Sequence, residues 1–117
     1  MGCNNITVDS DGNNYSIIPI LLEAGINGFL PIEVAAGMDP LELRKIYGKN
    51  LWLFGGIDKR VLSENKKAIE QEIFKKLPVL LSEGGYIPSI DHAVPPNVPL
   101  NNYKFYVELV RSITNKI

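Results

Sequence analysis

Cysteine is almost missing from this sequence of 117 residues: Cys3 stands alone. One thiol cannot close an internal disulfide, and no pair exists for a zinc finger or a redox CxxC, so a reducing compartment, the cytoplasm, is the expected home. Charge of one sign is missing as well. Twelve Lys and Arg face thirteen Asp and Glu, a net charge of -1 with no block of like charge. The electrostatic footprint of nucleic-acid or anionic-membrane binding is therefore absent, and neither partner is expected. No apolar stretch approaches the roughly 20 residues of a membrane span, and Met1 to Ile6 is polar without a charged and then apolar export signal. What remains is 45% hydrophobic and 21% charged, the composition of one globular domain, expected over residues 1–117 around a single core.

Short apolar runs alternate with amphipathic stretches. The first run, Ile6-Thr7-Val8, closes on the polar cluster Asp9 to Asn14, and helical spacing follows in Ile17, Ile18, Leu21 and Leu22 with Gly25 as the stop. The second, Phe29-Leu30-Pro31-Ile32, reaches Glu33 and then the small-residue turn before Asp39-Pro40-Leu41-Glu42. That tetrad predicts a helix start: Asp39 caps, Pro40 suits the first helical position and Glu42 stands three residues after the cap, with Gly48 ending the helix. The third run, Leu51 to Phe54, passes through Gly55-Gly56 to Ile57-Asp58. A long helix with Ile69, Ile73 and Leu77 on one face follows, which Pro78 is expected to bend or restart. The fourth, Tyr86 to Ile90, reaches Asp91-His92, a proline-rich loop, and a last helix with Tyr106, Leu109, Val110 and Ile113 at i, i+3, i+4, i+7. The pattern is βα repeated four times, an α/β fold with a parallel sheet and right-handed crossovers.

Chemistry gathers where the apolar runs end: Asp9 and Asp11, Glu33, Asp58, and Asp91 with His92. In a parallel sheet these ends share one rim, the rim that carries active sites in barrel enzymes. Each signal has a plainer reading. Asp9-x-Asp11 before Gly12 reads either as a ligand pair or as a capping turn. Asp39 is a helix cap. Glu33 follows an apolar run and precedes a small-residue turn, so it reads as a buried or half-buried carboxylate, and such a group needs a metal, a cation or a proton. Gly55-Gly56 lacks the surroundings of a phosphate loop and lets backbone pass close to a ligand or a neighbouring strand, with Asp58 a partner or a cap. His92, the only histidine, reads as functional, its ring oriented by Asp91. Trp52, Phe54, Tyr103 and Tyr106 read as packing, and Lys66 and Lys67 as solvated surface.

Val8-Asp9-Ser10-Asp11-Gly12-Asn13, Leu30-Pro31-Ile32-Glu33 with Ala36-Gly37-Met38-Asp39, Gly55-Gly56-Ile57-Asp58-Lys59, and Gly84-Gly85-Tyr86-Ile87-Pro88 with Asp91-His92-Ala93-Val94-Pro95-Pro96 form a recognisable series. Together, from about Ile6 to Arg111, they resemble the C-terminal half of the uroporphyrinogen decarboxylase superfamily, which includes cobalamin-dependent methyltransferases. The resemblance implies the last four units of a (β/α)8 barrel with the site in its C-terminal mouth. It implies a tetrapyrrole or corrinoid-linked small molecule as partner, and tetrapyrrole decarboxylation or corrinoid-linked methyl transfer as activity. The first four units, which supply most tetrapyrrole contacts in the decarboxylases, are absent here, so a homo-oligomer or a separate N-terminal half is expected to complete the site.

His92 matches the histidine after the last strand of the decarboxylases, where an imidazole donates to a substrate carboxylate or relays a proton. With Asp11 and Glu33 it makes the expected catalytic set, and Gly55, Gly56, Asp58 and Asp91 the expected substrate contacts. In the zinc methyltransferases the first of these strands ends in His-x-Cys, and a second Cys stands where His92 stands. Here those positions hold Asp9, Asp11 and His92, a harder set that suits Zn, Mn, Fe or Mg. Glu33 would complete a four-ligand divalent-metal site. A decarboxylase needs no metal.

Overall fold

A computed structural model describes residues 2–116. Four strands, β1 (Thr7–Asp9), β2 (Gly28–Leu30), β3 (Trp52–Phe54) and β4 (Tyr86–Ile87), alternate with four helices, α1 (Ile18–Glu23), α2 (Pro40–Tyr47), α3 (Lys66–Glu83) and α4 (Leu100–Thr114). The sheet order is β1-β2-β3-β4 and every pairing is parallel, so each strand lies beside its predecessor in the sequence. The βα alternation expected from the hydrophobic pattern is the one observed.

The register explains the core. Val8 pairs with Phe29, Phe29 with Leu53 and Leu53 with Tyr86, one continuous row across all four strands. Side chains alternate between faces along a strand, so this row shares one face. Phe29 and Leu53 are buried there in the cluster that holds Leu43 of α2 and Ile69, Ile73 and Leu77 of α3. The opposite row contains Thr7, Asp9, Leu30, Trp52, Phe54 and Ile87, each half-buried or exposed, with Ile87 at 45%. Parallel sheets are ordinarily covered on both faces, and this one carries helices on a single face.

Helix α2 follows its sequence signals closely. Asp39 Oδ1 accepts from the Leu41 amide at 2.9 Å, Pro40 opens the helix, and Gly48 closes it with φ of +57°. Helix α4 buries Tyr106 and Ile113 with Leu109 and Val110 beside them, the expected stripe. Helix α3 is not restarted at Pro78, because it runs unbroken through it for 18 residues. Proline removes one helical hydrogen bond. Leu77 and Leu80, on either side of it, are both wholly buried and hold the last turns against the core.

Arg44 ties the N-terminal ends of β3 and β4 to the end of α2. Buried to 5% exposure, it donates to the carbonyls of Gly48 at 2.6 Å, Leu51 at 2.8 Å, Gly84 at 3.0 Å and Gly85 at 2.8 Å. Burial lowers its guanidinium from the ordinary value, with Glu83 opposing the shift. One side chain thus satisfies the end of α2, the entry to β3 and the turn into β4. No helix among the described residues is long and apolar enough to cross a membrane.

Candidate functional site

The loops leaving the four strands meet at one rim, and each is built differently. After β1, buried Asn14 donates its side-chain amide to the carbonyls of Ser10 at 3.1 Å, Asp11 at 3.0 Å and Gly12 at 3.2 Å. Asn14 therefore shapes this loop, and α1 begins without a side-chain cap. Asp9 and Asp11 are left exposed on the rim. The capping-turn alternative for this pair is not the one the loop uses.

After β2, Ile32 sits wholly buried at φ of +61°, an uncommon setting for a β-branched residue, and delivers Glu33 to the start of a short 3-10 turn, Val34–Ala36. Glu33 Oε2 accepts from the Gly12 amide at 3.0 Å, and Asn13 Nδ2 donates to the Ala36 carbonyl at 3.2 Å. The partner that half-buried Glu33 requires is thus a backbone N–H of the neighbouring loop.

The loop after β3 spends its polar groups on the protein itself. Gly55 accepts from the Tyr86 hydroxyl at 2.6 Å, Gly56 donates to Pro31 O at 2.9 Å and accepts from the buried Lys76 ammonium at 2.9 Å. Ile57 donates to Ser89 and accepts from Asp91 N, and Asp58 N donates to Glu72 Oε2 at 2.7 Å. Glu72 and Lys76, one turn apart on α3, pair at 2.6 Å beneath the loop. A Cβ on Gly55 would collide with the Pro31 carbonyl, and one on Gly56 would stand 2.7 Å from the Pro40 ring. The double glycine is accounted for by the approach of one strand-end loop to the next. Asp58 caps the turn Lys59–Ser63 through the Arg60 amide and pairs with the Arg60 guanidinium at 2.9 Å. Burial works to raise its carboxyl, but hydrogen bonds from Arg60 and the charges of Arg60 and Lys76 outweigh it, and the net shift is downward.

Asp91, after β4, does not orient the His92 ring. It is wholly buried, with Oδ2 accepting from Val34 N at 2.8 Å and Oδ1 from Lys59 N at 3.0 Å, and the Lys59 ammonium 3.7 Å away. Adjacent side chains on this loop point to different places: Asp91 goes inward to two amides and His92 outward, its side chain 49% exposed.

His92 reaches instead toward the far edge of the sheet, its Nε2 lying 3.9 Å from Asp11 Oδ1. That separation is beyond a direct hydrogen bond and suits one bridging water or substrate oxygen. Asp9, Asp11 and His92 line a depression of about 250 Å³ with Leu30, Pro31 and Ala93. A second hollow of about 410 Å³ opens on the other side of His92, toward Tyr103, Tyr106 and Arg111 of α4. Burial, reinforced by Tyr103, pushes the Tyr106 phenol up to about 12 against a hydrogen bond with Ile90. The expected four-residue metal set is not assembled. Glu33 is turned to the Gly12 amide, and among the described residues no group of three or more His, Cys, Asp and Glu stands close enough to hold a metal ion.

Sequence reasoning missed Asn14, Glu72, Lys76 and Tyr86, which build the rim without facing it. The i,i+4 spacing of Glu72 and Lys76 was the available signal for a pair, though it reads as a surface one.

The family model described as uroporphyrinogen decarboxylase (URO-D) matches residues 6–113 of this chain. The uroporphyrinogen decarboxylase of Rickettsia conorii is 33% identical over 89 residues, covering 74% of this chain and 25% of the relative. That of Trichlorobacter lovleyi is 28% identical over 116 residues, covering 91% and 34%, and that of Campylobacter lari 30% over 112 residues, covering 87% and 32%. The chain spans about a quarter to a third of the length of these curated relatives.

Proposed function

We propose, because this chain belongs to the uroporphyrinogen decarboxylase family, that it is the C-terminal half of a barrel enzyme acting on a tetrapyrrole, with Asp11 and His92 as the reactive groups of its half of the mouth and Glu33 positioning them. The observation that carries this reading is the approach of His92 and Asp11, from loops at opposite edges of the sheet, to 3.9 Å across one depression. Loss of CO2 from a substrate carboxylate leaves a carbon that must take up a proton. A half-exposed imidazole on the rim can donate a hydrogen bond to that carboxylate or hand over the proton. Asp11 takes the other face of the bridging group, and Glu33 holds the Asp11 loop through Gly12. Leu30, Pro31 and Ala93 supply apolar wall for a pyrrole ring, while Gly55, Gly56, Asp58 and Asp91 set the shape of that wall. The depression is smaller than the ~300–1,000 Å³ of a complete ligand site, as half a mouth would be.

The test is a fluorescence titration of uroporphyrin against the chain, its His92→Ala variant and its Asp11→Ala variant. Saturable binding that either substitution weakens about tenfold or more supports the reading. Equal affinities, or no saturable binding by the unaltered chain, count against it. Corrinoid-linked methyl transfer is the competing chemistry for the same rim and requires a metal. Stoichiometric uptake of zinc or manganese, lost in Asp9→Ala, would favour it and would require Glu33 to leave the Gly12 amide.

A second reading is favoured by the uncovered row from Thr7 to Ile87: a half without catalysis of its own that works by associating with a partner or with a second copy. Open strand edges and a bare apolar face both promote such association. Mass in solution by light scattering decides, since a well-folded strict monomer would argue against it.

A further inference from the structure

Three contacts close a ring through three of the rim loops. Asp91 Oδ2 accepts from Val34 N; Val34 follows Glu33, whose Oε2 accepts from Gly12 N; Gly12 follows Asp11, whose carboxylate faces His92; and His92 follows Asp91. The other oxygen of Asp91 draws in the fourth loop through Lys59 N. Val34 and Lys59 are the first residues of the two 3-10 turns on the rim, and Glu33 and Asp58 are the residues just before them. One wholly buried carboxylate therefore caps two turns on two other loops.

We infer that Asp91 is a positioning residue that acts through Val34, Glu33 and Gly12 to fix Asp11 against His92, so that the two sides of the rim move as one body. The geometry favours this over a local capping role. Both oxygens are engaged at 2.8 and 3.0 Å, so the carboxylate has no freedom to reorient. The Lys59 ammonium at 3.7 Å supplies the opposite charge that a buried carboxylate needs. Beyond Glu33, loops one and two are stitched again by Asn13 to Ala36 O and by Asn14 N to Met38 Sδ at 3.4 Å. A shift of Val34 thus has a contiguous path to Asp11. The inference rests on the rim being the working site, but its test reads backbone amides and not turnover. Failure of the catalytic reading therefore leaves the coupling measurable by itself.

Substituting Asp91→Asn keeps the size and leaves one acceptor oxygen, while the new NH2 group faces an N–H donor. Amide hydrogen exchange on the intact chain, expressed relative to the core amide of Leu53, separates the possibilities. Coupling predicts that Val34 or Lys59 loses protection by about tenfold or more, the loss of one hydrogen bond to a charged acceptor. It also predicts that Gly12, on another loop and touching nothing at position 91, loses protection with it. Loss at Val34 or Lys59 with Gly12 unchanged would reduce Asp91 to a local cap and overturn the inference. Should Asp91→Asn fail to fold, Glu33→Ala runs the same path in reverse, because coupling between sites is reciprocal. Removing the Gly12 acceptor should then lower protection at Lys59, which reaches this path only through Asp91, and an unchanged Lys59 amide would refute the coupling.

Discussion

Replacing Gly55 by alanine tests whether the double glycine serves packing or a ligand. Gly55 sits at φ of +106°, and a Cβ there would run into the Pro31 carbonyl, whose oxygen is held in place by the Gly56 amide at 2.9 Å. The left-handed backbone costs an alanine about 1–2 kcal/mol. Overpacking against an immobile backbone atom adds roughly 1–3 kcal/mol. Stiffening of the unfolded chain returns about 0.4–1 kcal/mol. The expected net loss is about 2–4 kcal/mol, a large part of the ~5–15 kcal/mol that stabilises a domain. Gly25→Ala is the control, since Gly25 has a similar φ of +96° with nothing within 4 Å of its added Cβ. It should lose only about 1 kcal/mol. Urea unfolding followed by the fluorescence of Trp52, the single tryptophan, gives both values from the midpoints. At a slope of about 1–3 kcal/mol per molar for small domains, Gly55→Ala should move the midpoint down by about 1 M or more and Gly25→Ala by much less. Equal losses for the two variants would refute the packing argument and return the double glycine to a ligand.

Three further outcomes follow from the same loop. Tyr86→Phe strands the Gly55 carbonyl, now served by the Tyr86 hydroxyl at 2.6 Å, and should cost about 1–3 kcal/mol in urea unfolding; no loss would mean that water replaces the hydroxyl. Lys76→Met leaves Glu72 with an unpaired charge in a nearly buried place and should cost about 3–5 kcal/mol. Adding Glu72→Gln should recover part of that in a double-mutant cycle, and strict additivity would count against the pair. Asp58 titrates below its ordinary value of 3.8, because Arg60 and Lys76 overcome the effect of burial. A depressed carboxyl lends stability that is complete above 3.8 and is lost as pH falls through the lower folded value. Thermal melting of Asp58→Asn should therefore depend less on pH below about 4 than that of the unaltered chain, and parallel curves would contradict the assignment.

Hydrophobic spacing made the βα alternation legible, and Asp39-Pro40-Leu41-Glu42 with Gly48 marked both ends of α2. The rim was legible too, because ionisable residues cluster after apolar runs. Which of those residues face the mouth was not. Asp91 and His92 are neighbours in the chain and invite a pairing, yet the loop turns one toward two amides and the other toward solvent. Glu72 and Lys76 have the spacing of a surface ion pair, and only the loop folded over α3 buries them. Pro78 carries a local preference against helix that the burial of Leu77 and Leu80 overrides. Asn14 is an ordinary loop residue until its three carbonyl acceptors are in place. Asn14 apart, whose acceptors lie within four residues of it, the missing information is a contact between segments remote in sequence.

Asp91 reaches Val34 across 57 residues, the longest separation of any side-chain hydrogen bond among the described residues. Every strand pairing, by contrast, joins consecutive strands. A chain emerging from the ribosome with its N-terminus first can add one βα unit at a time onto its predecessor, and local pairings of this kind form early. The rim follows a different schedule. Glu33 and Lys59 are synthesised long before the carboxylate that locks their loops, so the mouth stays unset until β4 has docked. A nascent chain stalled short of Asp91 can already join its first two rim loops through Gly12 to Glu33 and Asn13 to Ala36, but it lacks the one carboxylate that ties the second loop to the third.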